Sequence, residues 1–336
     1  MKRAFALLIL FASSAFAQSN DLGIWLGNIA GSPQKRVETA KQLGANWYRP
    51  EPVLLGSAES KCDDCEAARA AGMKLVLVIR NAAAANKPSA PGADAAFQQK
   101  LRGVLDQYKP EILIVESEPE DNKSFAGAPE EYAAELKAAC DIAHSANIKC
   151  TDGALSSPDI AGVVIDELWK TDKLQAGDFG IATEIVRAKG TGNMFSVLGR
   201  VMGGDKSQQE AIQKATQTYL DKHRAEIDRA RAFLLAAAGA NADYANFHWK
   251  ELKPEEITTV LDILGRLNKR PPMTDEIGQT EERPFETGEK IRILREAGVA
   301  PIIWDGIDGN GNVGLVDKNG KIRPNGQAFQ RAAQAK

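Results

Sequence analysis

Histidine is scarce in this chain, with three in 336 residues, and none belongs to an H-E-x-x-H pair, so zincin chemistry lacks its ligands. The four cysteines have no spaced histidine partners, which removes a structural zinc site. G-x-S-x-G and the P-loop are missing too, and with them the esterase and nucleotide-hydrolase readings. The net charge is only -3 and shows no clustered basic face, so a nucleic-acid footprint is excluded. Internal repeats and low-complexity linkers are absent, which favours one domain over several. Past the first twenty residues no long apolar run occurs, so no membrane span is expected.

Those first residues are informative. Lys2 and Arg3 precede the apolar run from Ala4 to Phe11, then small residues end in Ala15-Phe16-Ala17 before Gln18. A charged start, a short apolar centre and an A-x-A site read as a signal peptide over residues 1–17, cleaved after Ala17. The mature protein, 18–336, is therefore expected to be secreted or periplasmic, where disulfides are permitted. Cys140 and Cys150 can bridge a short helix–strand connection, and Cys62-Asp63-Asp64-Cys65 reads as a local clip or two free thiols. No thioredoxin-like pattern surrounds that pair, and three pairings of the four cysteines stay open.

Apolar bursts then alternate with helical stretches. Strands are expected at Gly23–Ile29, Ala45–Pro52, Met73–Asn81, Glu111–Glu116, Ile148–Leu155, Ala242–Trp249, Pro271–Gly278 and Pro301–Ile307, with helices between them. Met73–Asn81 is nearly unbroken in its apolarity, as suits a strand covered on both faces. Eight such units argue for an α/β fold, a (β/α)8 TIM barrel, and against an open doubly wound sheet, since no GxGxxG follows the first strand. The connection from the fifth to the sixth strand is far longer than the rest. Residues 157–240 read as the regular helix plus a helical insertion.

Barrels place their chemistry at the carboxyl ends of the strands. Those ends supply Trp25, Asn28, Trp47, Arg49, Arg80, Asn81, Glu116 to Glu118, Asp152, His248, Trp249, Asp275, Glu276, Trp304 and Asp305. Paired carboxylic acids furnish proton transfer and a nucleophile. Tryptophans offer flat faces to sugar rings, and Asn, His and Arg bond hydroxyls. Asp308, Asn310 and Asn312 alternate like a calcium loop, but the glycine and distal glutamate are lacking, so no metal or cofactor is expected.

In order and wording the motifs resemble the clan A, or "4/7", (β/α)8 retaining glycoside hydrolases, especially their xylosidase-like and cellulase-like branches. Glu118-Pro119 matches the acid/base element at the fourth strand. Thr274-Asp275-Glu276-Ile277-Gly278 is similar to the nucleophile element at the seventh, with one residue inserted between Thr and Glu. Arg49 in LGANWYRPEP, His248 in NFHW, Trp304 in PIIWDGI and the tail Gly314 to Phe329 also resemble family features. The resemblance implies double displacement: Glu276 attacks the anomeric carbon while Glu118 protonates the leaving oxygen, then activates water. It implies an oligo- or polysaccharide substrate bound by Arg49, Ser117, His248, Trp304, Trp47, Asn28 and Arg80. Two departures stand out: Ser117 replaces the family's Asn, and FHWK lacks the tyrosine that orients the nucleophile. They keep a rival class in view, a non-catalytic glycan-binding or cell-envelope protein on the same scaffold. The sugar, the linkage and the oligomeric state are left open.

Overall fold

The computed structural model describes residues 21–27, 31–57, 61–171, 214, 216–250, 253–309 and 312–335. The expected signal peptide, Asn28, Asn310 and residues 172–213 of the long connection lie outside the described residues.

Eight strands run parallel: β1 Leu22–Trp25, β2 Trp47–Arg49, β3 Lys74–Arg80, β4 Ile112–Val115, β5 Lys149–Asp152, β6 Ala245–Trp249, β7 Pro272–Ile277 and β8 Ile302–Asp305. The two-residue piece Val53–Leu54 extends the β3 edge. Hydrogen bonding follows the order β5-β4-β3-β2-β1-β8-β7-β6, so first and last strands are neighbours, Leu22 to Trp25 pairing with Ile302 to Asp305. The sheet is a nearly closed (β/α)8 barrel.

The remaining seam, between β5 and β6, is drawn together by the segment just before β6. The Asp243 N–H donates to Cys150 O at 2.7 Å, and the Thr151 hydroxyl to Tyr244 O at 3.1 Å. The Asp243 carboxylate takes the Cys150 N–H at 2.8 Å, Lys149 Nζ at 2.8 Å and faces His144 Nε2 at 2.7 Å.

The helices among the described residues include α1 Pro33–Gln42, α2 Asp63–Ala70, α3 Ala95–Tyr108, α4 Pro129–Ser145, α5 Ser157–Lys170, α6 Arg224–Ala238, α7 Ile257–Asn268, α8 Pro284–Glu296 and α9 Pro324–Gln334. Local chemistry sets their starts. Asp94, ahead of α3, caps it by accepting the Phe97 N–H at 2.8 Å. Pro33, Pro129, Pro284 and Pro324 open their helices, where proline's missing N–H costs nothing. The long connection supplies both α5 and α6, which are clamped by Asp166 to Arg224 and Arg231. No helix among the described residues is long and apolar enough to cross a membrane.

Two apolar layers follow from the strand's period of two. Inside the barrel Val76, Val78, Ile112, Ile114, Met273 and Ile303 meet, with Trp25, Trp47 and Tyr244 against them. Their alternates, such as Leu75, Leu77, Leu113, Val115, Ile302 and Trp304, face the helices. Each such side chain contributes about 1.5–3 kcal/mol when fully buried. The cysteines pair as Cys62–Cys65, a clip at the start of α2, and Cys140–Cys150, which ties α4 to β5.

Candidate active site

An irregularity in β7 organises the site. Asn246 pairs with Met273 and His248 with Glu276, so two steps along β6 oppose three along β7. The pairing with β8 carries the same offset, between Thr274–Ile302 and Ile277–Trp304. This is a β-bulge. It coincides with the residue inserted between Thr274 and Glu276. Regular strands send adjacent side chains to opposite faces; here Asp275 and Glu276 both reach inward-facing partners.

Asp275 is held on both oxygens. Arg49 Nε donates to Oδ2 at 2.8 Å, while Asn246 Nδ2 at 2.6 Å and His248 Nε2 at 2.8 Å converge on Oδ1. It is 1% exposed. Burial would raise its carboxyl, but the charges of His248 and Arg49 outweigh burial and hold it well below the usual carboxylate range. Glu276 is bound differently: among the described residues only Oε1 is engaged, by Lys250 Nζ at 3.1 Å. Burial again pushes up, and His248, Lys250 and Arg49 together bring its carboxyl below the ordinary value. Lys250 Nζ also lies 3.5 Å from Asp305 Oδ2. Burial, then the Glu276 charge, push Asp305 up to about 7 against the pull of Lys250.

Glu118 stands across from this group with its side chain 35% exposed, and its Oε1 lies 3.2 Å from His248 Nδ1. The turn that presents it is strained. Glu116 and Glu118 have φ of 67° and 50°, left-handed values that non-glycine residues rarely take and that cluster at functional sites. Neighbours hold the turn in place. The Glu118 N–H donates to Gly153 O at 3.0 Å, and a Cβ on Gly153 would lie 2.5 Å from the Glu116 carbonyl carbon, so only glycine fits. Glu116 is buried and takes the Asn81 N–H at 2.7 Å and Ser89 Oγ at 2.5 Å, anchoring the turn to the loop after β3. From the long connection, Arg229 on α6 donates to Glu120 O at 2.7 Å.

No family model and no curated protein matches the chain. Solved structures do. A GH128 (subgroup II) endo-β-1,3-glucanase from Pseudomonas viridiflava is similar over 92% of this chain and 96% of its own, with TM-score 0.52 and 15% identity. A subgroup I endo-β-1,3-glucanase from Amycolatopsis mediterranei, in complex with laminarihexaose, matches over 93% and 99%, with TM-score 0.51 and 11% identity. A subgroup II endo-β-1,3-glucanase from Sorangium cellulosum matches over 93% and 98%, with TM-score 0.51 and 15% identity. What this chain shares with them is the barrel.

Of the residues expected at the site, Arg49, His248, Glu118 and Glu276 come together, and Ser117 is half-buried between the two strained glutamates. Arg49, however, binds Asp275 rather than Glu276 directly. His248 is buried with both ring nitrogens on carboxylates, so it supports the site instead of offering a donor to sugar. Three expectations fail, two on strand geometry and one on hydrogen bonding. Trp304 is one residue out of phase and packs fully buried between β8 and α9, its ring 6.3 Å from Phe329. Trp47 has the right phase but begins β2 beside Lys74, at the amino-terminal end of the barrel. Arg80 spends its guanidinium on the carbonyls of Ala85, Lys87 and Ser124, pinning loops. The aromatic face near the mouth belongs to Trp25, with Arg49 Cζ 4.8 Å above it. Glu120 is buried and takes the Ser156 N–H at 2.6 Å, so burial, with the Glu118 charge, pushes it up to about 8.

Asn246 and Lys250 were not singled out by the sequence reading. A signal existed. In Asn246-Phe247-His248-Trp249-Lys250 the polar residues alternate with large apolar ones, the period-two pattern that sends Asn, His and Lys to one face.

Proposed function

We propose that the chain is an exported retaining glycoside hydrolase of the clan A type, cleaving an oligo- or polysaccharide by double displacement. The observation that carries this reading is the bulge in β7. It sets Glu276, one oxygen held by Lys250 and the other without a hydrogen bond among the described residues, opposite the partly exposed Glu118. An ionised, oriented carboxylate is what a nucleophile requires, and a second carboxyl open to solvent can pass protons to substrate and water. Glu276 forms the glycosyl ester as the glycosidic C–O bond breaks and the leaving oxygen takes a proton through Glu118. Water then displaces Glu276 and returns a proton to Glu118. Asp275 keeps Arg49 and His248 in place, and Trp25 offers a stacking face. Ser117 remains the candidate for the sugar hydroxyl contact that the family's Asn makes. Both disulfides suit the oxidising compartment that the expected signal peptide implies.

One observation favours the second reading, a glycan-binding protein without turnover: the free site already neutralises Glu276 with Lys250. Hydrolysis of aryl β-glycosides and of laminarin oligosaccharides by the mature protein separates the two. Glu276→Ala is expected to abolish turnover, and added azide to restore it in Glu118→Ala. Glycan binding with no hydrolysis of any substrate leaves the second reading standing.

A further inference from the structure

His248 has two ring nitrogens, and each faces a carboxylate: Nε2 lies 2.8 Å from Asp275 Oδ1 and Nδ1 3.2 Å from Glu118 Oε1. Asp275 already receives Arg49 and Asn246, so it is an acceptor only, and Nε2 must carry a hydrogen. Toward Glu118 two arrangements satisfy the geometry. Either Nδ1–H donates to the Glu118 carboxylate, or a protonated Glu118 donates to a bare Nδ1. They differ by one proton moved along one hydrogen bond.

We infer that His248 and Glu118 share the catalytic proton, His248 storing it at Nδ1 and delivering it through Glu118 to the leaving oxygen. The inference rests on the glycosidase reading above. In the first half-reaction the Nδ1 proton moves to the Glu118 carboxylate and from Glu118 to the departing oxygen, which leaves Glu118 a carboxylate and His248 neutral. In the second, the attacking water gives a proton to Glu118, which returns one to Nδ1, so each turnover ends as it began. The charges around the ring suit a store. Asp275 and Glu276 on β7 and Glu118 after β4 all favour imidazolium, and these, Asp275 first, raise His248 well above its ordinary value although burial pulls the other way. The nearby cations act elsewhere, Arg49 on Asp275 and Lys250 on Glu276 and Asp305. His248 is thus a positioning and relay residue, acting through Glu118.

Two measurements test this. The first needs no turnover: ¹⁵N-histidine NMR titration of the full mature chain, with His144 and His223 assigned by substitution. His248 is expected to keep both nitrogens protonated at neutral pH in the wild type, and to titrate at distinctly lower pH in Glu118→Gln. A titration unmoved by Glu118→Gln overturns the shared proton. The second compares wild type with His248→Gln on aryl β-laminaribiosides. Phenyl leaving groups need the acid and are expected to slow on the order of 10²-fold, dinitrophenyl ones only a few-fold. The alkaline limb of kcat/KM is expected to move to lower pH, because Glu118 alone must then hold the proton. Equal loss on both substrates with an unmoved limb assigns His248 a purely structural part. A wild type that hydrolyses nothing counts against the glycosidase reading, while the NMR titration still decides where the proton sits.

Discussion

Lys250 is the residue on which Glu276 depends most directly. It is the only cation hydrogen-bonded to that carboxylate among the described residues, and it answers Asp305 on its other side. Lys250→Met removes the charge while keeping most of the stem's volume. Without it the carboxyl of Glu276 rises, so the acid limb of kcat/KM is expected to move to higher pH. Turnover at neutral pH is expected to fall, and a pH–rate profile of the variant beside wild type checks both. A profile that keeps its acid limb would show that Arg49 and His248 suffice to hold Glu276 ionised.

Among the elements, β7 and the turn after β4 carry the site, and both depart from regular geometry. The bulge gives β7 two inward carboxylates; the turn sets Glu118 out on a left-handed backbone wedged against Gly153. Gly153→Ala would drive a methyl into the Glu116 backbone. We expect a loss of about 1–3 kcal/mol, as for other overpacked sites, together with a fall in turnover larger than in Tm terms a remote substitution of equal cost would bring. Thermal unfolding and kcat measured on one preparation decide it. Much of this level was legible in advance. The order of strands and helices followed from periodicity, and the meeting of Arg49, Glu118, His248 and Glu276 from motif order and resemblance. What escaped was phase and depth. A one-residue shift hides Trp304 behind the sheet, two residues sink Trp47 to the barrel floor, and the Thr–Asp–Glu insertion reads as a blemish in sequence until pairing shows it to be a bulge.

For the whole molecule the weak line is the β5–β6 seam, held by Asp243 rather than by a continuous ladder. Burial opposes the charge on Asp243, but Lys149, the Cys150 N–H and His144 prevail and lower its carboxyl below the ordinary value. A lowered folded-state value means the ionised group stabilises the fold above the unfolded aspartate range, near pH 3.9, and that contribution is lost as pH falls through the folded value. Asp243→Asn is therefore expected to cost about 1–2 kcal/mol at pH 7, with the gap to wild type closing as the pH falls below the ordinary aspartate range. Denaturant unfolding at neutral pH and below that range tests the sign. The Cys140–Cys150 bridge holds the same corner covalently, so the two devices back each other up.

Arg295 joins the far reaches of the described chain. One guanidinium bonds Asp21 through Nε and the Ala332 carbonyl through NH1, each at 2.8 Å. Both reaches therefore meet beside the β1–β8 pairing, whereas the one gap in the ladder falls where the long connection departs and returns. The break in the ladder thus lies away from the place where Asp21 and Ala332 meet. A circular permutant, with residues 21 and 335 joined by a short linker and new ends opened between α5 and α6, would keep every strand pair and every site residue. It would move only the order of synthesis, so that β6, β7 and β8, with Lys250 and Glu276, emerge from the ribosome before Arg49 and Glu118.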